Sequence, residues 1–135
     1  MDELQVVDDR EFVYRRIHPR FYDPALAVPV LLEAFRPNRN DTTGLSVFRA
    51  SFARPQDCLP PDPAKAVGYL VARLAVSDLR NLGLSIQPEP ILSGPTGHAV
   101  IPELSWPSYE GNRALWRPTL FALAKLASND LIRLV

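Results

Sequence analysis

The stretch that decides the fold is Phe12-Val13-Tyr14-Arg15-Arg16-Ile17-His18, closed by Pro19. Aromatic and β-branched residues dominate it, so it predicts a strand, and the proline ends the run by removing a backbone donor. Alternation along a strand sets Phe12, Tyr14, Arg16 and His18 on one face and Val13, Arg15 and Ile17 on the other.

Working outward, Leu45 to Phe52 predicts a second strand with one imperfect beat, and Tyr69 to Val76 a third. Leu84 to Gln87 and His98 to Leu104 complete the set, the last ending near Pro102. Val28 to Phe35 is an apolar run that suits either a helix start or an edge strand. Pro37 to Gly44 is a turn cluster, Pro55 to Pro63 a rigid loop holding Cys58, and Ala64 to Gly68 one helical turn. Ser77 to Gly83 carries a cap, an acidic first turn and a glycine stop. The longest helix is expected over residues 113–128, with Pro118 in its first turn and Leu120, Leu123, Ala124 and Ala127 as its apolar stripe. Leu131 to Val135 either extends that helix or lies against the core. About five short strands and a C-terminal helix give a single compact α+β domain over residues 10–135, preceded by an acidic leader at 1–9.

Composition supports that reading. The chain of 135 residues is 47% hydrophobic and 22% charged, ordinary globular usage that argues against a disordered tail or a coiled coil. Fourteen prolines cut it into short elements with stiff connections. One cysteine excludes an internal disulfide framework and a cysteine-built zinc site. The acidic start lacks the pattern of a secretory signal, and no apolar run approaches the roughly 20 residues of a membrane span. The expectation is a cytoplasmic protein with no membrane partner.

Fifteen basic and fifteen acidic side chains cancel, but not evenly along the chain. Residues 1–9 carry four acids and no base, and residues 55–135 balance at seven each. Residues 10–54 hold eight arginines against four acids, so any anion-binding surface belongs there. A solvated arginine surface neutralised by the leader explains the same imbalance.

Only two histidines are present. His18 ends a strand beside Arg15, Arg16 and Arg20, and His98 begins one after Gly94-Pro95-Thr96-Gly97. If the two strand ends meet, Arg16, His18 and His98 form a pocket able to hold phosphate and move protons near neutral pH, as a metal-independent ribonuclease requires. By parity Arg16, not Arg15, shares the face of His18. The alternative for each histidine is a loop cap. Carboxylates are scattered without ligand spacing, so no metal site is expected, and nothing calls for a cofactor. There is no Gly-x-Ser-x-Gly elbow. Cys58 beside Asp57 should have a raised thiol pKa and is a poor nucleophile. Phe12, Tyr14, Phe21, Tyr22, Phe35, Phe48 and Phe52 interleave with the arginines, which permits nucleic-acid stacking, although such residues at strand spacing usually build a core.

Tyr14 to Pro19, Ala34 to Pro37, Ser46-Val47 and, more loosely, His98-Ala99 resemble an uncharacterised family of small bacterial proteins. That family opens with Tyr-Arg-Arg-Ile-His-Pro and continues through an Ala-Phe-Arg segment, a Ser-Val strand and a Pro-x-His-Ala strand. The resemblance spans most of residues 12–101 and implies a bacterial, intracellular protein without implying an activity. A more distant likeness is to ADP-ribosyltransferase-like folds, in which Arg15 or Arg16 and Ser46 would take the strand positions. The glutamate that such enzymes need has no match, since Glu89 and Glu103 both sit beside prolines.

From these features the expected function is a protein-binding accessory module, its partner another protein encoded nearby. Trp106, Tyr109 and Trp116 would be the contact patch, because Trp, Tyr and Arg dominate interface hot spots; closure of the core by the same residues is the bland alternative. The other functional class is an enzyme on RNA or a nucleotide, working through Arg16, His18 and His98, with Arg15, Arg39 and Ser46 as further binding residues. Nucleic acid is possible on this reading but not the favoured partner.

Overall fold

In the computed structural model, which describes residues 3–134, the Phe12 stretch is the strand β1 (Phe12–Ile17), and Val13 and Ile17 are fully buried. It lies inside a six-stranded antiparallel sheet with β2 (Leu45–Arg49), β3 (Leu70–Ala75), β4 (Gln87–Pro88), β5 (His98–Ile101) and β6 (Leu131–Arg133). The order across the sheet is β4-β5-β2-β1-β3-β6. The protein is a single α+β domain.

Four α-helices accompany the sheet: α1 (Pro63–Ala66), α2 (Val76–Asn81), α3 (Trp106–Glu110) and α4 (Arg113–Asn129). The longest, α4, buries Leu120, Leu123, Ala124 and Ala127 against β3 and the 3₁₀ turn Leu32–Phe35. On that face Val13, Ile17, Leu45, Val47, Ala72, Leu74 and Ile101 complete the core. The opposite face carries a smaller buried group outside the main cluster: Val71, Val100, Ala53 and Cys58. The 3₁₀ turn Pro55–Cys58 supplies part of this second cover by packing on β1.

Several elements differ from the sequence reading. A sixth strand exists because Leu131 to Arg133 pairs with β3, anchored where Arg73 bonds both the carbonyl and the carboxylate of Asp130. Pro118 sits in the interior of α4, not its first turn, and residues 113–117 precede it as helix. Its missing N–H leaves the carbonyl of Ala114 without an intrahelical donor, and both residues are on the exposed side, where water can serve. Of the expected strand Leu84 to Gln87 only Gln87 pairs, joined by Pro88 from the expected loop, while Ser85 instead bonds the Glu103 carboxylate through N–H and hydroxyl at 2.8 and 2.6 Å. Val28 to Phe35 resolves into a bridge at Val30 and a 3₁₀ turn. The helix near Ser77 starts one residue earlier, at Val76, and Gly83 takes the left-handed φ of +81° at its end.

The acidic N-terminal segment folds onto the domain. Val7 is buried in the main core. Arg49, 2% exposed, donates to the carbonyls of Glu3 and Gln5 at 2.8 Å each and forks onto the Glu11 carboxylate at 3.0 Å. Arg80 pairs with Asp9 and donates to the Val7 carbonyl. Among the described residues no helix is long and apolar enough to cross a membrane.

Candidate active site

The site forms where the sheet parts. β1 pairs with β3 through six residues but with β2 through only two, Val13–Arg49 and Tyr14–Phe48. Beyond Tyr14 the ladder ends and Arg15 fills the gap. Its Nη1 donates to the Ser46 carbonyl at 2.9 Å, and its Nε and Nη2 donate to the Ala34 carbonyl at 3.3 and 3.0 Å. The guanidinium therefore replaces ladder hydrogen bonds with its own. Burial lowers it to about 10, Asp41 opposing and Arg16 adding to the shift, so it remains a cation at neutral pH.

Over this gap opens a cleft of about 370 Å³. β1 and the turn after it contribute Arg15, Arg16, His18 and Arg20; the Leu32–Phe35 turn and its exit contribute Glu33 and Arg36; β2 contributes Ser46 and Phe48, and Tyr69 closes one side. Among the described residues six arginines are ion-paired, with Asp8, Glu11, Asp57, Asp130, Asp9 and Glu110. None of the six lines the cleft, and none of the four cleft arginines is ion-paired. Of the two acids present, Asp41 is engaged by the Asn38 N–H at 2.8 Å. The cleft is net basic in a chain of zero net charge.

Both histidines have assignable tautomers. His18 caps the turn Pro19–Phe21, its Nδ1 accepting from the Arg20 N–H at 3.1 Å, so the neutral ring carries its proton on Nε2. Tyr69 and Phe21 hold the ring edgewise at 5.1 and 6.0 Å between centroids. His98 is the reverse case. Its Nδ1 lies 2.7 Å from the Glu89 carbonyl, which only accepts, so Nδ1 is protonated and Nε2 offers a lone pair. Ser46 Oγ stands 2.5 Å from that Nε2 and donates to it.

Strand register makes this pair. His98 faces Phe48 across β2–β5, and Ser46, two residues along β2, projects on the same side. Phe48 holds the imidazole edgewise, with centroids 5.4 Å apart. The turn before His98 is tied down by Gly97, whose N–H donates to the Glu3 carboxylate at 2.6 Å and whose carbonyl accepts from the Arg49 N–H at 2.8 Å. Gly97 has φ +85°, and a Cβ there would stand 2.7 Å from that of Phe52, so only glycine fits.

Arg16 and His18 thus line one cleft, whereas His98 does not line it and contacts Ser46, which does. Parity reserved the cleft for Arg16, yet Arg15 lines it too, because the absent ladder lets a side chain from the other face through. Arg39 lies exposed in the turn after Pro37 and does not line the cleft. Trp106, Tyr109 and Trp116 lie elsewhere, Tyr109 in the core and the two tryptophans half-buried against it. Arg20, Arg36 and Tyr69 were not singled out from sequence as site residues, and no local motif marks them. Cys58 is buried, and burial, then Asp57, pushes its thiol up to about 12, partly offset by Arg16. Among the described residues no group of three histidine, cysteine or carboxylate side chains is placed to hold a metal ion. No family model, curated protein or solved structure matches the chain.

Proposed function

We propose that the protein is an enzyme acting on a phosphate-bearing substrate, a nucleotide or RNA, bound in the cleft between β1 and β2. One observation carries this reading: four arginines that form no ion pair among the described residues converge on a cleft that also holds a histidine and a histidine-bonded serine. Arginine's planar fork matches phosphate oxygens, and Arg15 uses three of its five N–H groups on carbonyls, leaving two for an anion. His18, with its proton on Nε2, supplies a donor at the same site. Trp106 and Trp116 pack half-buried on the core and Tyr109 within it, so the enzyme reading is favoured here over the protein-binding accessory role.

The test is fluorescence anisotropy with a labelled mixed-sequence oligoribonucleotide and with a labelled adenosine nucleotide at low salt. Binding of at least one is expected. The double variant Arg16→Ala/Arg36→Ala should weaken it roughly tenfold or more and lower the salt slope by about 1.4 for a single strand. Absence of binding by the wild-type chain to both probes defeats the proposal.

A further inference from the structure

Resting on that reading, we infer that Ser46 is the nucleophile of the site and His98 its general base, so that the reaction passes through a phosphoryl group held covalently on Ser46. The arrangement has the parts that an activated serine needs. The hydroxyl is within hydrogen-bond reach of an imidazole nitrogen, the other nitrogen is oriented by a third group, and the serine lines a cavity. Here the third group is the Glu89 backbone carbonyl rather than a carboxylate. It holds the tautomer that leaves Nε2 basic toward Ser46, which is the orienting role of the acid in a serine triad.

A purely structural bond would account for Ser46 and His98 if their surroundings were closed and neutral. They are neither. Ser46 lines the cleft, and the Arg15 guanidinium bonds its own carbonyl at 2.9 Å. A phosphate drawn in by Arg15 and Arg16 therefore sits beside the Ser46 hydroxyl, where charge developing on its oxygens meets fixed cations.

The step balances with water as the only co-reactant. Ser46 Oγ gives its proton to His98 Nε2 and forms a bond to phosphorus as the bond from phosphorus to the leaving oxygen breaks. That oxygen takes the proton back from His98 and departs as an alcohol. Water then gives a proton to the same nitrogen, attacks phosphorus and releases Ser46, which recovers its proton. The net change is hydrolysis of one phosphate ester.

The full chain is treated with diisopropyl fluorophosphate, an uncharged phosphorylating probe, and the product is read by intact mass and peptide mapping. One diisopropylphosphoryl group per chain is expected, on Ser46. Ser46→Ala should abolish it, and His98→Gln should slow it about 100-fold or more. Arg10→Ala, at an exposed side chain outside the cleft, should leave the labelling rate within a factor of two. No adduct on the wild-type chain overturns the inference without any variant having to fold, and so does an adduct elsewhere than Ser46. Unchanged labelling in His98→Gln removes the base. Labelling of Ser46 without nucleotide or RNA binding leaves the nucleophile standing and defeats the substrate reading, while binding without labelling does the reverse.

Discussion

Arg49 is the residue whose loss the structure prices most clearly. Its side chain is 3% exposed and its Glu11 partner 14%, and the two are joined by three contacts of 3.0 to 3.2 Å. Its Nη1 also satisfies the Glu3 and Gln5 carbonyls, and the guanidinium lies 4.9 Å over the Phe52 ring. Arg49→Ala deletes one partner of a buried pair, leaving two carbonyls without their donor and a poorly solvated Glu11 carboxylate with the Asp8 N–H as its remaining partner. Such deletions cost about 3–5 kcal/mol. In a domain of this size that corresponds to a fall in Tm of roughly 10–20 °C. The damage should also spread toward the site. The N-terminal segment held by Arg49 presents the Glu3 carboxylate to Gly97, the residue before His98. Urea unfolding followed by circular dichroism measures the first effect, and the rate of proteolytic nicking within residues 1–9 measures the second. Replacing both partners, Arg49→Met with Glu11→Leu, should recover part of the loss but not all, because the Glu3 and Gln5 carbonyls stay unpaired. A loss below about 1 kcal/mol for Arg49→Ala, at an unchanged m-value, would show that the pair is solvated and the reasoning wrong.

Two further outcomes follow from burial alone. Leu123 is fully buried on α4, so Leu123→Asp should destabilise by roughly 3 kcal/mol or more, and unaltered thermal unfolding would contradict the packing of that helix. Cys58 has its thiol raised to about 12 from an ordinary 9.0, so above pH 9 the folded chain keeps a proton that the unfolded chain releases. Stability should therefore fall as pH rises from 9 toward 12, more steeply in the wild type than in Cys58→Ala; parallel urea midpoints across that range would remove the effect.

The readable parts of this fold were those in which the sequence pattern and the tertiary contact lie in one element. β1 announced itself because its alternation matches burial, with Val13 and Ile17 inward and Arg16 outward. α4 did so through its stripe at Leu120, Leu123, Ala124 and Ala127. β6 was not readable, since three residues at a chain end become a strand only through the free edge of β3. The Ser46–His98 pair lies 52 residues apart and depends on the β2–β5 register. A register one residue different would place them on opposite faces, and nothing local to either residue sets it. Parity was right for Arg16 and incomplete for Arg15. Strand alternation presumes a continuous sheet, and the cleft exists because the sheet is interrupted.

That interruption also explains how a chain of zero net charge carries a basic site. Fifteen acids and fifteen bases cancel in solution only if their distribution is ignored. Six arginines are matched locally, by neighbours such as Asp8, Asp57 and Glu110 or by partners across the fold such as Glu11 and Asp130. The arginines at the parted strands are not matched in the same way. Arg15 bonds the Ala34 and Ser46 carbonyls in place of the missing ladder, which leaves it two N–H groups and no ion pair among the described residues. Arg16 and Arg36 line the cleft beside it and, among the described residues, form no ion pair. The backbone defect and the basic cleft are thus one feature: a cation bridges the gap, and that cation with its neighbours sets the field that Ser46 faces.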